Sequence, residues 1–372
     1  MSLNSRHFSR KISIETNQQC NLKCVYCYEE GRSKRVFNID KIKEFLLELL
    51  SKRTHIGTII DLHGGEPFLI FEQIKELCNW LWENEFQEKY VVHITTNGTL
   101  INETIKNWLQ LNKERIIIKL SIDGNKIAHN INRCNSFDSI DLHFFLSNWQ
   151  EEGVKMTVSP QTVQYIFDSI VFLHNFGFKR IQTDIADIDC WNKHKEVLPI
   201  FKEQMKLLNT FYLTNSSLKK TSLYNISFNK YFDKSCDKYC KTCLNGSKVG
   251  IDIDGNKYPC HIFFPSVYNQ LVIKDFGLYN IHDESTFLSG KCLNCSVKHF
   301  CLTCYGTNLL LRGEIAKRDM GYCELEKIRI ASVFKYHYNR IISTEQNHLT
   351  EEDYQIMMII SDLQEFIQNY TI

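Results

Sequence analysis

Apolar and polar positions alternate along this chain in two rhythms. Runs with a period of two, read as strands, occur at Lys11 to Glu15, Gly57 to Leu62, Tyr90 to Thr95, Arg115 to Ser121, Lys155 to Val158 and Arg180 to Ile185. Apolar residues at three- and four-residue steps predict amphipathic helices over Ile39 to Leu50, Phe71 to Trp82, Ile101 to Leu109, Ile140 to Trp149, Ile166 to Phe176 and Leu198 to Phe211. Strands alternating with helices imply an α/β fold with a parallel sheet, and six such units imply either a doubly wound sheet or an incomplete barrel. In both, ligands bind beyond the carboxyl ends of the strands. The polar punctuation falls there. A cysteine loop follows the first strand, His63-Gly64-Gly65-Glu66-Pro67 the second and Thr95-Thr96-Asn97-Gly98 the third. Ser121-Ile122-Asp123-Gly124 follows the fourth, Ser159-Pro160-Gln161 the fifth, and Thr183-Asp184 ends the sixth.

After Phe211 the chain turns polar, and a domain boundary near residue 225 is expected, giving a core over 1–225, a Cys-rich domain over 226–330 and a helical extension over 331–372. Val249 to Ile253, Asp254-Gly255 and Tyr258-Pro259-Cys260-His261 read as a hairpin. Two helices are expected to close the chain. One covers Glu324 to Ile342, and the other is opened by Thr350-Glu351-Glu352-Asp353, with Tyr354 and Met358 packing inward.

The charge balance, 44 basic against 43 acidic residues, offers no field to steer nucleic acid or an anionic membrane. No signal peptide opens the chain, and no apolar run approaches the ~20 residues of a membrane span. A soluble, cytoplasmic protein is the expectation. In that setting fifteen cysteines point to metal rather than to disulfides, and nine of them crowd between Cys236 and Cys323. Cys78 falls on the apolar face of its helix and reads as a core thiol, whereas Cys190 lies in a loop.

Three thiols, Cys20-x3-Cys24-x2-Cys27, follow the first strand, with Tyr26 just before the third. Thiolates suit iron–sulfur clusters, copper(I) or zinc, and three ligands leave one coordination position open. The spacing resembles the radical SAM superfamily. That resemblance implies a [4Fe–4S] cluster on Cys20, Cys24 and Cys27 whose open iron chelates S-adenosylmethionine, and a partial (β/α)6 barrel of the TIM type. It implies further that Gly64, Gly65 and Glu66 hold the cofactor's ammonium, and that Thr96, Asn97, Ser121 and Asp123 bond its methionine and ribose portions. Arg133 would meet its carboxylate, as guanidinium suits a carboxylate. Cys134, beside Arg133, is a candidate for a part in the chemistry.

The second field, Cys236-x3-Cys240-x2-Cys243, then Cys260, then Cys292-x2-Cys295-x5-Cys301-x2-Cys304 and Cys323, resembles the SPASM extension of radical SAM peptide and protein maturases. The resemblance implies two auxiliary [4Fe–4S] clusters. Cys292, Cys295, Cys301 and Cys323 would hold the distal one. Cys243, Cys260, Cys304 and either Cys236 or Cys240 would hold the proximal one. Two departures stand out: only Leu302-Thr303 separates Cys301 from Cys304, where the family usually has three residues, and His261 occupies the place at which sulfatase maturases carry an Asp base. A His can do comparable work near neutral pH.

The implied enzyme cleaves S-adenosylmethionine reductively to a 5′-deoxyadenosyl radical. That radical abstracts hydrogen from a peptide or protein, maturing a ribosomally made peptide by crosslinking or oxidation. A sulfatase maturase forming formylglycine is the alternative, and a zinc-stabilised, non-catalytic binding module is the alternative of another class. A flavodoxin- or ferredoxin-type donor is the implied electron source. With the first cysteine at position 20, no leader-binding domain is expected before the barrel, so a leader peptide would need a separate leader-binding partner or another surface.

Overall fold

The computed structural model describes residues 8, 10–29, 31–54, 57–188, 191–232, 248–267, 287–288 and 290–371. Its strands are β1 (Arg10–Asn17), β2 (Thr58–Gly64), β3 (Tyr90–Thr96), β4 (Ile116–Ser121), β5 (Val154–Val158), β6 (Ile181–Ile185), β7 (Lys248–Ile251) and β8 (Lys257–Tyr258). Its principal helices are α1 (Ile39–Leu50), α2 (Phe71–Glu83), α3 (Glu103–Leu111), α4 (Lys126–Asn132), α5 (Leu142–Trp149), α6 (Ile166–Phe176) and α7 (Val197–Thr214), then α8 (Tyr305–Arg312), α9 (Met320–Ile342), α10 (Glu351–Asp362) and α11 (Gln364–Thr371). The strands run in the order β6-β5-β4-β3-β2-β1-β7-β8. From β1 to β5 each pairs in parallel with its sequence neighbour, as the strand–helix alternation requires.

The chain forms two compact units. The first holds the described residues of Met1–Ile122, His129–Lys155 and Lys241–Leu278; the second holds those of Asp123–Ala128, Met156–Cys240 and Tyr279–Ile372.

In the first unit, Ile12, Ile14, Ile60, Leu62, Val92 and Ile94 are buried on one face of the strands. A parallel sheet covered on both faces would read as continuous apolar runs. These strands alternate instead, because their second face is polar and internally paired. Register sets Ser13 beside Asp61, Asp61 beside His93, and Glu15 beside His63. Asp61 Oδ1 lies 2.6 Å from His93 Nδ1 and its Oδ2 lies 2.8 Å from Lys11 Nζ. Burial alone would raise the Asp61 pKa, but the Lys11 ammonium and the His93 hydrogen bond outweigh it and hold the carboxyl well below the usual range.

The hairpin expected around Asp254-Gly255 joins this same sheet: β7 pairs in parallel with β1 and antiparallel with β8. Its turn is fixed by Asp252, whose Oδ1 accepts from Asp254 N at 2.9 Å and Asn256 N at 2.8 Å, while Gly255 supplies φ +86°.

The second unit has its own core, in which Phe228, Val297, Phe300, Ile330, Phe334 and Ile359 cluster. Val297 and Phe300 lie between Cys295 and Cys301, so the five-residue spacer there docks the cysteine loop onto the C-terminal helices.

Several expectations need correction. Three helices, not two, lie beyond Asp319, since α11 was not foreseen. Tyr354 and Met358 do not pack inward. They are 54% and 59% exposed, and α10 buries Asp353, Ile356, Ile359 and Ile360 instead. The helix expected from Ile140 starts at Leu142, because Asp141 caps it by accepting from Phe144 N at 3.1 Å. The short α4 was not foreseen; its seven residues carry too many polar Asn and His side chains to show a helical apolar stripe.

Candidate active site

Strand β1 delivers the chain into the three-thiol loop, and the loop is clamped by the segment after β2. Gly65 N donates to Asn17 O at 3.2 Å, Glu66 N to Gln19 O at 2.8 Å, and Asn17 Nδ2 to Glu66 O at 2.9 Å. A Cβ on Gly65 would fall 2.1 Å from Gln19 O, so only glycine allows this approach. Within the loop, Leu22 N lies 3.4 Å from Cys20 Sγ, Cys27 N donates to Cys24 O at 3.1 Å, and Arg32 reaches Cys27 Sγ at 3.5 Å. Burial pushes the Cys20 thiol up to about 11, so a bound cation would be needed to hold it as thiolate near neutral pH.

Two of the expected cofactor-binding residues, Thr96 and Asn97, meet at Glu66. Its Oε1 accepts from Thr96 Oγ1 at 2.8 Å and Phe68 N at 3.2 Å, and its Oε2 from Asn97 N at 2.8 Å. Burial raises its pKa against these bonds. The side chain thus ties the end of β2 to the end of β3. Asn97 Nδ2 continues the network to Asn21 Oδ1 at 2.9 Å, inside the thiol loop. Arg133, 7% exposed, sets its guanidinium 5.4 Å from the Tyr26 ring centroid. Ser121, buried, ends β4. Asp123, in the second unit, accepts from Thr157 N at 2.8 Å.

Cys134 has a mechanical place. Its Sγ receives Lys23 N at 3.3 Å and donates to Lys23 O at 3.1 Å, and it sits with Asn135 at φ 56° after α4. The thiol fastens the cysteine loop to the α4 turn.

His261 follows Cys260 and opens a turn of 3-10 helix. Its ring centroid is 4.9 Å from that of His63 and 5.9 Å from that of Tyr28. Tyr28 OH is 3.0 Å from His63 Nε2, and Glu29 Oε1 is 3.5 Å from His63 Nδ1. Burial, reinforced by the positive charges of Lys11 and Lys155, holds His261 well below its usual pKa; burial likewise takes His63 to about 4. Burial and the nearby carboxylates Glu15 and Glu66 push Glu29 up to about 8. At neutral pH this is a cluster of two neutral imidazoles, a phenol and a mostly protonated carboxyl. His63, Tyr28 and Glu29 were not assigned a role from sequence, although all three flank quoted motifs. Their signal was adjacency to Gly64 and Cys27, which marks a strand end but not a direction.

In the second unit, Cys292, Cys295, Cys301 and Cys323 line one small cavity together with Arg318. Burial pushes the Cys323 thiol up to about 12. A buried pair anchors this region: Arg329 Nε meets Glu326 Oε1 at 2.9 Å, and Glu326 Oε2 accepts from Leu302 N at 3.0 Å. Cys304 does not line that cavity; its Sγ accepts from Thr307 N at 3.4 Å and caps α8. Cys236, Cys240 and Cys243 lie outside the described residues, as does Cys190. Cys78 is fully buried, as expected of a core thiol. Among the described residues, no three His, Cys, Asp or Glu side chains are arranged to hold a single metal ion, and no helix is long and apolar enough to cross a membrane.

A thiol trio beyond β1, clamped by Gly65 and Glu66 beyond β2, defines the class: the chain carries a radical SAM domain, its residues 14–141 matching the model of the radical SAM superfamily. Along most of its length the chain is also similar to the anaerobic sulfatase maturases. The cysteine-type anaerobic sulfatase-maturating enzyme of Clostridium perfringens is 23% identical over 88% of this chain and 96% of its own length. An uncharacterised protein of Methanocaldococcus jannaschii is 25% identical over 68% of this chain and 84% of its own. The structure of histidine-tagged anSMEcpe with bound AdoMet shares the fold at a TM-score of 0.65 and 19% identity, covering 94% of this chain and 98% of that one. Streptococcus suis SuiB bound to its precursor peptide SuiA matches at a TM-score of 0.52 and 19% identity, covering 85% and 76%.

Proposed function

We propose that this chain uses S-adenosylmethionine to abstract hydrogen from a peptide or protein, maturing a ribosomally made peptide by crosslinking or oxidation. The observation that carries the reading is the clamp of Gly65 and Glu66 on a loop that presents three thiols and no fourth. Cys20, Cys24 and Cys27 would hold the [4Fe–4S] cluster. Tyr26, Gly64, Gly65, Glu66, Thr96, Asn97, Ser121, Asp123 and Arg133 would surround the cofactor. When bound, that cluster would supply one electron to the cofactor's sulfonium.

The four thiols around the second-unit cavity would hold a further cluster, four soft ligands lining one cavity being the donor set that such a group takes. Cys260 and Cys304 would contribute to a third with Cys243 and one of Cys236 or Cys240. The core would end near residue 225 and the auxiliary domain near 330. A flavodoxin- or ferredoxin-type protein would deliver electrons, and a separate protein would present any leader peptide.

His261, whose ring centroid lies 4.9 Å from that of His63, would be the group that takes a proton from the substrate. Tyr28 OH, 3.0 Å from His63 Nε2, holds the neighbouring His63 ring in place. A second reading, formation of formylglycine on a sulfatase, draws support from the identity to the Clostridium perfringens enzyme along nearly its whole length.

Incubation of anaerobically reconstituted protein with S-adenosylmethionine and dithionite should release 5′-deoxyadenosine; none would defeat the radical reading. Mass spectrometry of a co-expressed candidate peptide separates the two substrates. Loss of two hydrogens from a precursor peptide, with no aldehyde formed at Ser or Cys, supports crosslinking or oxidation. Exchange of a cysteine sulfur for oxygen in a sulfatase peptide supports formylglycine formation.

A further inference from the structure

The cavity ringed by Cys292, Cys295, Cys301 and Cys323 contains one guanidinium whose bonding is unusual. Arg318 Nε donates to Cys292 Sγ at 3.3 Å, Nη2 donates to Phe287 O at 3.3 Å, and the group lies 5.6 Å from the Tyr305 ring centroid. Its Nη1 is buried and has no hydrogen-bond partner. Among the described residues no carboxylate pairs with it, and the adjacent Asp319 gives its Oδ1 to Tyr322 N at 2.7 Å. The other cations on this cavity are engaged elsewhere. Lys327 binds Glu324 Oε1 at 2.8 Å and Tyr370 OH at 3.0 Å, and Lys298 binds Leu293 O at 3.2 Å. A buried cation without a counter-charge is costly, and cysteines are the groups it faces.

We infer that Arg318 is the counter-cation and hydrogen-bond donor of an iron–sulfur cluster held by Cys292, Cys295, Cys301 and Cys323, and that it sets this cluster's reduction potential. The inference rests on the cluster reading given above. Four thiolates around an iron–sulfur cube leave it net negative, and reduction adds to that charge. A fixed cation and an N–H to sulfur bond therefore favour the reduced form and raise the potential.

The test uses the full chain carrying Cys20, Cys24 and Cys27→Ala, so that the first cluster is absent, reconstituted anaerobically and titrated while paramagnetic resonance is recorded. The signal that Cys292→Ala removes belongs to this cavity. At the potential where that signal is half-developed in the Arg318 protein, Arg318→Met should lower the reduced-to-oxidised ratio about tenfold, or ~59 mV for one electron. Arg318→Lys should fall between. An unchanged midpoint in Arg318→Met overturns the inference. Should the Met variant fail to retain this cluster's iron, retention of iron and signal by Arg318→Lys supports a role for the charge, and loss in both variants overturns it. If no signal of the Arg318 protein responds to Cys292→Ala, the cluster reading itself fails, a result distinct from an unshifted midpoint.

Discussion

At the scale of single residues, the site depends on close approach. Gly65 and Gln19 O meet at a spacing that leaves no room for a methyl group. Gly65→Ala should therefore push the thiol loop off its clamp while the strands, whose apolar face is untouched, stay folded. The expected result is a chain with a native far-ultraviolet spectrum that binds about four fewer irons of about twelve, by colorimetric iron assay. An unchanged iron count would show that the clamp does not position the thiols. This contact was legible in part. The Gly-Gly-Glu run at a strand end is a local signal, but the bonds Glu66 makes to Thr96 and Asn97 run between residues thirty apart and could not be read from either motif. Cys134 was the opposite case. Its neighbour Arg133 drew attention to reactivity, whereas its thiol bonds the backbone of Lys23, more than a hundred residues earlier.

At the scale of elements, the β/α alternation was readable because each period is a property of ten or so adjacent residues. The polar face of the strands was visible as alternation, but Lys11, Asp61 and His93 come together only through strand register. The cap of α10 was readable too, since Thr350 and Asp353 exchange bonds across one turn: Asp353 N donates to Thr350 Oγ1 at 3.2 Å and Thr350 N to Asp353 Oδ2 at 3.0 Å. Arg340, thirteen residues away on α9, was not foreseen as its partner. Burial alone would raise the Asp353 pKa, but the Arg340 and Thr350 bonds bring it to about 2. A carboxyl whose folded pKa lies below its unfolded one stabilises above the unfolded value and loses that stability as pH falls through the folded one. The stability gap between the protein and Asp353→Asn, measured by urea unfolding, should be full at pH 6 and shrink between about pH 4 and pH 2. A gap that holds constant through that window would contradict this pairing.

At the scale of the whole molecule, two cysteine fields divide between two units, with Cys260 carried by the first and the later group by the second. Their roles should separate on mutation. The Cys20, Cys24 and Cys27→Ala chain should produce no 5′-deoxyadenosine, while Cys292→Ala should still produce it yet fail to convert substrate, as followed by chromatography and peptide mass. Equal loss of 5′-deoxyadenosine in both would show that the second field is needed for the cofactor's cleavage. The spacings of both fields were legible because the cysteines of one loop lie close together in sequence. The docking of Val297 and Phe300 was not, since it depends on helices that follow thirty to seventy residues later. Fold survives here with little sequence in common, as the 19% identity to anSMEcpe over 94% of the chain shows.

The hairpin's seat in the sheet sets a measure for evolution to respect. Because Lys11 to Ile14 run alongside Lys248 to Ile251 step for step, one ladder of amides gauges both the arrival of the chain at Cys20 and the departure of the turn that ends at Cys260. A residue inserted in the tip, Asp252 to Asn256, and not absorbed there would slip β8 one step along β7 and displace Cys260 and His261, which follow it. Natural length changes in this protein's descendants should therefore accumulate away from that five-residue tip.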